Sequence, residues 1–185
     1  MRNDRVTRWL QPITEPYTLS VSTVGHVLIL RQSYISSYLE IYGSDAVLQR
    51  QLQLPNEIHE PKHAIQTPTG EFIIVDQRSS SSLLKLSSDG RIVNRFVPRN
   101  VSEQFIGLCH LAFDSVNNRL FALDIASNKV TLLDADFTWS RTLLTKDKQG
   151  INTPTRLCYN PGKSQLIVGL WCHGAKVFEV YERIN

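Results

Sequence analysis

Residues 119–134 read RLFALDIASNKVTLLD, and residues 71–89 read EFIIVDQRSSSSLLKLSSD. Both stretches run through an apolar segment, an aspartate, a short polar turn and a second apolar segment. The copies lie about 47 residues apart, a period that is typical of arrays of small repeated units. The sequence therefore predicts a repeat architecture, in which each copy covers the apolar face of the next.

The repeat extends over most of the chain. Four units begin with PYTLSVSTVGHVLIL at Pro16, PKHAIQTPTGEFIIVD at Pro61, LCHLAFDSVNNRLFALD at Leu108 and PTRLCYNPGKSQLIVGL at Pro154, at spacings of 45, 47 and 46 residues. The first three units each contain four short apolar segments separated by Gly, Asn, Pro or Ser turns, and the fourth contains three, which predicts a sheet of up to four antiparallel strands in each unit. The second segments, HVLIL, EFIIV, RLFAL and QLIVG, are apolar over most of their length, so we expect them to be covered on both faces.

Four strands in about 46 residues are typical of one β-propeller blade. The sequence therefore predicts an all-β propeller of four blades in a single domain over residues 1–185, either as a small closed ring or as part of a six-bladed one. We place the blades at residues 16–52, 61–97, 108–144 and 154–181. The fourth unit lacks an outer strand. Residues 5–10 are predicted to supply it, or else to form the outer strand of a preceding blade.

Composition restricts the compartment and the chemistry. The 185 residues are 42% hydrophobic and 20% charged, with a net charge of +3, which is too small to require a nucleic-acid partner. The chain has no apolar run long enough for a membrane span and no apolar leader at its N-terminus, so we expect a cytoplasmic protein. Three dispersed cysteines without a C-x-x-C motif predict buried, reduced thiols rather than a zinc module.

The repeat resembles the NHL repeat, which forms the six-bladed C-terminal propeller of tripartite-motif ubiquitin ligases. Residues 121–124 (FALD) followed by residues 128–130 (NKV) carry the resemblance best, and the second unit keeps Pro61, Gly70 and residues 74–76 (IVD). The chain departs from the family in having four units, and in having Arg31 and Leu170 where the repeat expects aspartate. The resemblance implies a recognition module whose ubiquitin transfer would belong to zinc modules outside this sequence.

One repeat-matched position begins the first strand of each of the four units. His63, His110 and Arg156 occupy it, with Thr18 in the first unit, and we expect them at the mouth of the central channel. Two matched histidines suggest a metal site, as in lactonase-like or lyase-like propellers. Zinc needs three or four protein ligands, however, and an arginine repels a cation. We therefore predict hydrogen-bonded histidines, no metal and no cofactor.

Asp76 and Asp124 end the second strands of two units. They could form a carboxylate pair for acid–base chemistry, or they could accept hydrogen bonds from backbone N–H groups of the following turn. The aspartate belongs to the repeat pattern, which favours turn capping. No nucleophile, phosphate-loop or metalloprotease motif occurs, so we expect no catalytic residues.

The loops after the second strands should emerge at one end of the blades, where they would form a basic and aromatic rim. The predicted rim residues are Arg31, Tyr34, Arg78, Asn128, Lys129, Trp171 and His173. Aromatic residues and arginine anchor many protein interfaces, and the same residue types bind single-stranded RNA. The sequence therefore predicts a non-enzymatic module that binds a protein partner, with RNA binding as the alternative and a propeller enzyme as a third interpretation. No small-molecule substrate and no membrane association are expected.

Overall fold

A computed structural model describes residues 17–22, 24–32, 36–77, 81–172 and 174–180. Within these residues, fifteen strands form four antiparallel sheets, each built from strands that are consecutive in sequence. Two short 3-10 turns, Val101–Glu103 and Pro161–Lys163, and one helical turn, α1 (Lys146–Gln149), lie in the connections. Among the described residues, no helix has the length and apolar character that crossing a bilayer requires.

The sheets are the blades of a β-propeller. Blade 1 consists of β1 (Tyr17–Val21), β2 (Val27–Gln32), β3 (Ser37–Tyr42) and β4 (Leu48–Gln53). Blade 2 consists of β5 (Pro61–Gln66), β6 (Phe72–Asp76), β7 (Ser82–Leu86) and β8 (Ile92–Arg95). Blade 3 consists of β9 (Leu108–Asp114), β10 (Arg119–Asp124), β11 (Lys129–Asp134) and β12 (Ser140–Thr145). Blade 4 consists of β13 (Pro154–Asn160), β14 (Gln165–Leu170) and β15 (Gly174–Glu179).

Tight turns at fixed places in each unit set the strand pairing. Gly70, between β5 and β6, has φ +85°, and Asn118 has φ +52° in the corresponding turn of blade 3. Glycine adopts this left-handed backbone without a Cβ clash, and asparagine tolerates it better than most residues do. These turn residues therefore fix the register of the two strands that each turn connects.

Three apolar cores hold the blades together, and each lies between two consecutive blades. Ile74, Leu84 and Leu86 of blade 2 pack against Leu28 and Leu39 of blade 1. The next two cores join blade 2 to blade 3 and blade 3 to blade 4. Residues of β6 alternate between two cores: Phe72 and Ile74 enter the core shared with blade 1, and Ile73 and Val75 enter the core shared with blade 3. All five positions of β6 are therefore buried. The predicted face-to-face stacking of blades is confirmed.

The second strand of blade 4 is buried differently. In β14, Leu166, Val168 and Leu170 are buried against blade 3, whereas the residues between them are only partly buried. Their face continues to Cys158 and Val177 on the neighbouring strands, and both side chains are exposed. The expectation that every second strand is covered on both faces is therefore wrong for blade 4 in the described part of the chain. The interblade cores found there join consecutive blades only.

Candidate binding surfaces

The end of the blades at which the second strand turns into the third is called the upper end here. Asp76 lies at this end, where β6 finishes. Its Oδ1 accepts hydrogen bonds from the backbone N–H groups of His59 at 3.3 Å and Glu60 at 2.7 Å. The carboxylate thus anchors the connection that enters blade 2.

Asp124 does the same in blade 3 and is completely buried. Its carboxylate accepts the N–H of Ile106 at 2.8 Å, of Gly107 at 3.0 Å and of Ser127 at 3.0 Å. It therefore connects the segment entering the blade to the turn that follows β10. These contacts support backbone capping, because the hydrogen bonds of the carboxylate go to the backbone N–H groups of the fold.

Asn128 and Lys129, two of the predicted rim residues, are also tied into the fold. Asn128 Oδ1 accepts the N–H of Thr153 at 2.7 Å. Lys129 is buried, and its Nζ donates to the carbonyl of Gln104 at 2.8 Å and lies 5.5 Å from the centre of the Phe105 ring. Burial lowers the pKa of Lys129. Both side chains thus join neighbouring segments of the upper end instead of projecting from it.

Arg31, a third predicted rim residue that is held by contacts within the fold, faces a buried acid. Its Nε lies 3.0 Å from Glu40 Oε2. The Glu40 carboxylate also accepts hydrogen bonds from the Tyr42 hydroxyl at 2.9 Å and from Gln51 Nε2 at 3.2 Å. Burial, together with the bond to Glu40, raises the pKa of Tyr42. The guanidinium charge is therefore balanced within blade 1.

Among the four rim residues that the structure describes, Trp171 is the most exposed. It follows β14, is 68% exposed, and its backbone N–H donates to the carbonyl of Thr153 at 2.9 Å. The N–H of Thr153 also donates to Asn128 Oδ1. Thr153 therefore links the turn after β10 in blade 3 to the turn after β14 in blade 4. Trp171 therefore projects from a segment that is held by backbone hydrogen bonds.

Two exposed isoleucines lie at the same end of blade 3. Ile106 is 72% exposed and Ile125 is 36% exposed. The backbone N–H of Ile125 donates to the carbonyl of Gly107, and a Cβ on Gly107 would lie only 3.2 Å from Ile125 Cγ2. Ile106, Ile125 and Trp171 are called the apolar ridge below. Sequence reasoning missed the isoleucines because apolar residues in a β protein are first assigned to the core; their position in connections of the upper end is the signal that could have identified them.

The remaining rim predictions, Tyr34, Arg78 and His173, lie outside the described residues, as does the strand predicted at residues 5–10. Their proposed roles stay predictions.

The matched histidines meet near the propeller axis, as the repeat alignment predicts. The ring centres of His63 and His110 are 3.9 Å apart, with the ring planes tilted by 35°. Nδ1 of His110 accepts the N–H of Leu157 at 3.4 Å. A neutral His110 therefore carries its proton on Nε2.

Both imidazoles favour the uncharged form. Burial, then the neighbouring His110 and Arg156, hold the pKa of His63 well below its usual range. Burial and Arg156 lower the pKa of His110 to about 4. Arg156, the third member of the repeat position, is exposed, and its Nη1 donates to the carbonyl of Thr155 at 2.8 Å. Among the described residues, no group of three or more His, Cys, Asp and Glu side chains could hold a metal ion.

The cysteines are free thiols, but their burial differs from the prediction. Cys109 is half-buried, whereas Cys158 and Cys172 are exposed. Cys158 lies on the open face of blade 4, and Cys172 lies in the turn after β14. The prediction of three buried thiols is therefore wrong for these two residues.

Sequence comparison places the chain in no known family: no family model and no curated protein matches it. Solved structures do match. A chain in a nidogen/laminin complex has 16% sequence identity and a TM-score of 0.60 over 83% of this chain and 55% of that one. A gluconolactonase from Xanthomonas campestris has 14% identity and a TM-score of 0.63 over 87% and 57%. A luciferin-regenerating enzyme has 13% identity and a TM-score of 0.62 over 90% and 60%.

These matches support the propeller fold. At such low identity they carry no function from one protein to another, and the matched structures include both enzymes and a protein from a binding complex. The chain spans between 55% and 60% of the length of these three solved chains.

Proposed function

We propose that this chain is a non-catalytic interaction module that binds a protein partner through the upper end of its propeller. The single observation that carries the proposal is the apolar ridge, because it exposes a tryptophan and two isoleucines on segments held by backbone hydrogen bonds. A large aromatic side chain on a preorganised backbone loses little conformational freedom on binding, which is the property of an interface anchor.

The contacts of the two described rim cations, Arg31 and Lys129, favour a protein over RNA. Arg31 is paired with Glu40, and Lys129 is bonded to Gln104, so neither cation is poised for a phosphate. The nidogen/laminin match shows the same fold in a protein complex. Within this proposal, the repeat pattern favours an NHL-like recognition module of the tripartite-motif type, and we propose that it acts in the cytoplasm.

The test compares binding by the native chain with that of Trp171→Ser. Proteins cross-linked to the native chain in cell extract should be lost with Trp171→Ser, because loss of an anchor costs about 2 kcal/mol or more, roughly a thirtyfold weakening. Val116→Ser is the matched control, since Val116 is 75% exposed at the opposite end of the blades.

Nuclease treatment and salt distinguish the two partner classes. A protein complex should survive ribonuclease and depend weakly on salt, whereas RNA binding should weaken steeply as salt rises. Retention of all partners by Trp171→Ser, or their loss after ribonuclease, would contradict the proposal.

A further inference from the structure

The blades pack on one another in one direction along the chain. Residues paired directly across neighbouring strands lie on the same side of a sheet, so each blade has a forward face, turned towards the next blade, and a backward face, turned towards the preceding one. Each of the three cores joins the forward face of one blade to the backward face of the next. Within the described residues, no core covers the forward face of blade 4 or the backward face of blade 1.

The forward face of blade 4 repeats the surface that blade 3 buries. In blade 3, three residues paired across β9, β10 and β11 pack against blade 4: Ala112, Phe121 and Leu132. The register-matched residues of blade 4 are Cys158, Ile167 and Val177. Leu132 is completely buried, whereas Val177 is 55% exposed. Blade 4 thus presents the kind of surface on which this chain packs another blade.

The backward face of blade 1 is exposed at its inner strand. One matched position of the first strands is buried against the preceding blade in blades 2, 3 and 4, where it holds Ala64, Leu111 and Leu157. Leu19 occupies this position in blade 1 and is 53% exposed. Val21 lies on the same side and is 64% exposed. Two apolar side chains therefore stand where the other blades have a core.

The charges on these two faces do not oppose a contact. On blade 1, Glu40 is buried and its carboxylate is paired with Arg31. On blade 4, the strand register places Arg156 and Glu179 at opposite ends of the forward face, so the middle of that face is uncharged. An apolar contact can thus form without burying an unpaired charge.

We propose that copies of this chain associate head to tail, with the forward face of blade 4 in one copy packed against the backward face of blade 1 in the next. The contact continues a pattern that the chain already repeats three times, since each core joins a forward face to a backward face. Because the two surfaces differ, the contact is heterologous, and it closes into a ring or extends into a row of copies. It uses blade faces rather than the apolar ridge, so it does not depend on the proposed function.

The test blocks one face at a time and measures mass by light scattering. Val177→Lys blocks the forward face and Leu19→Lys blocks the backward face, because a lysine buried without a partner is costly. Each variant alone should be close to monomeric, with its self-association weakened about tenfold or more relative to the native chain. Mixed in equal amounts, the two variants should form a complex of two chains, because each retains the face that the other has lost.

Val93→Lys is the matched control. Val93 is 53% exposed on the outer strand β8 of blade 2, and this variant should associate as the native chain does. Circular dichroism should show that all three variants are folded, as expected for substitutions of exposed residues. Native-like association of Leu19→Lys alone would show that like faces pair and would overturn the proposal. A mixture that stays monomeric, a native chain that is monomeric at every concentration, or equal dissociation by Val93→Lys would also overturn it.

Discussion

At the scale of single residues, the buried aspartates show how a repeat signature works. Asp124 binds backbone N–H groups on both sides of itself in sequence, and Asp76 makes the same kind of contact one blade earlier. The short acid recurs because every blade must hold the connection that enters it. Blades 1 and 4 carry Arg31 and Leu170 at the matching position and need other contacts there.

Replacing Asp124 by alanine should destabilise the fold strongly. Three backbone N–H groups would lose their acceptor in a buried site, so we expect a loss of about 3 kcal/mol or more in the free energy of unfolding. Urea denaturation followed by circular dichroism measures it. Asp45→Ala, in an exposed turn, is the control and should change stability by less than about 0.5 kcal/mol.

The histidine pair predicts a specific pH dependence. The pKa of His110 is about 4 in the folded chain and near its ordinary 6.5 in the unfolded chain. Between these values the unfolded chain binds more protons, so stability is complete above pH 6.5 and falls as the pH drops towards 4. His63 acts in the same direction.

Thermal unfolding across this range measures the effect. The midpoint temperature of the native chain should fall between pH 6.5 and pH 4.5, and the fall should be smaller in His63→Phe. An identical pH profile in the two proteins would show that other groups govern acid sensitivity.

At the scale of elements, the two faces of blade 4 differ in burial: one packs against blade 3, and the described residues leave the other partly exposed. The sequence predicts β14 as a fully covered strand because its residues are apolar, but local sequence does not reveal which neighbouring sheet is present. Ridge residues such as Ile106 were missed because an apolar residue in a β protein is first assigned to the core. Turn chemistry, by contrast, is local, and the hairpins predicted at Gly70 and Asn118 are confirmed.

Two substitutions should separate the covered face from the open one. Phe121 is completely buried between blades 3 and 4, with its ring 4.9 Å from Tyr159, so Phe121→Ala should cost about 3–5 kcal/mol. Val177 lies on the open face and is 55% exposed, so Val177→Ala should cost less than about 0.5 kcal/mol. Similar costs measured by urea denaturation would mean that blade 4 is covered on both sides.

At the scale of the whole molecule, the repeat period was sufficient to predict the all-β propeller and the order of its strands. The residues of the candidate binding surfaces were harder to predict from the sequence than the fold was. Alignment of the units matched His63 with His110, and the two rings do lie together because repeat-matched residues occupy equivalent positions; the third matched residue, Arg156, is exposed. It also placed Lys129 on the rim, where the structure buries it, since burial depends on the Gln104 segment arriving from the preceding blade.

The face of blade 4 that the described residues leave uncovered should affect association in solution. Exposed apolar residues beside an edge strand favour pairing with another sheet. We expect light scattering to give a mass above 21.1 kDa that rises with concentration, and Val177→Lys should shift it towards the monomer. An unchanged mass in Val177→Lys would exclude this face as the contact.

The three successive cores also imply that the molecule does not open uniformly. Blades 2 and 3 each share two cores, whereas blade 4 shares one within the described residues. In an array coupled through nearest neighbours, a unit with a single interface opens at lower free energy than one held on both sides. Amide protons of β14 and β15 should therefore exchange with deuterium sooner than those of β6 and β10. Blade 4 could therefore unfold locally while most of the chain stays folded.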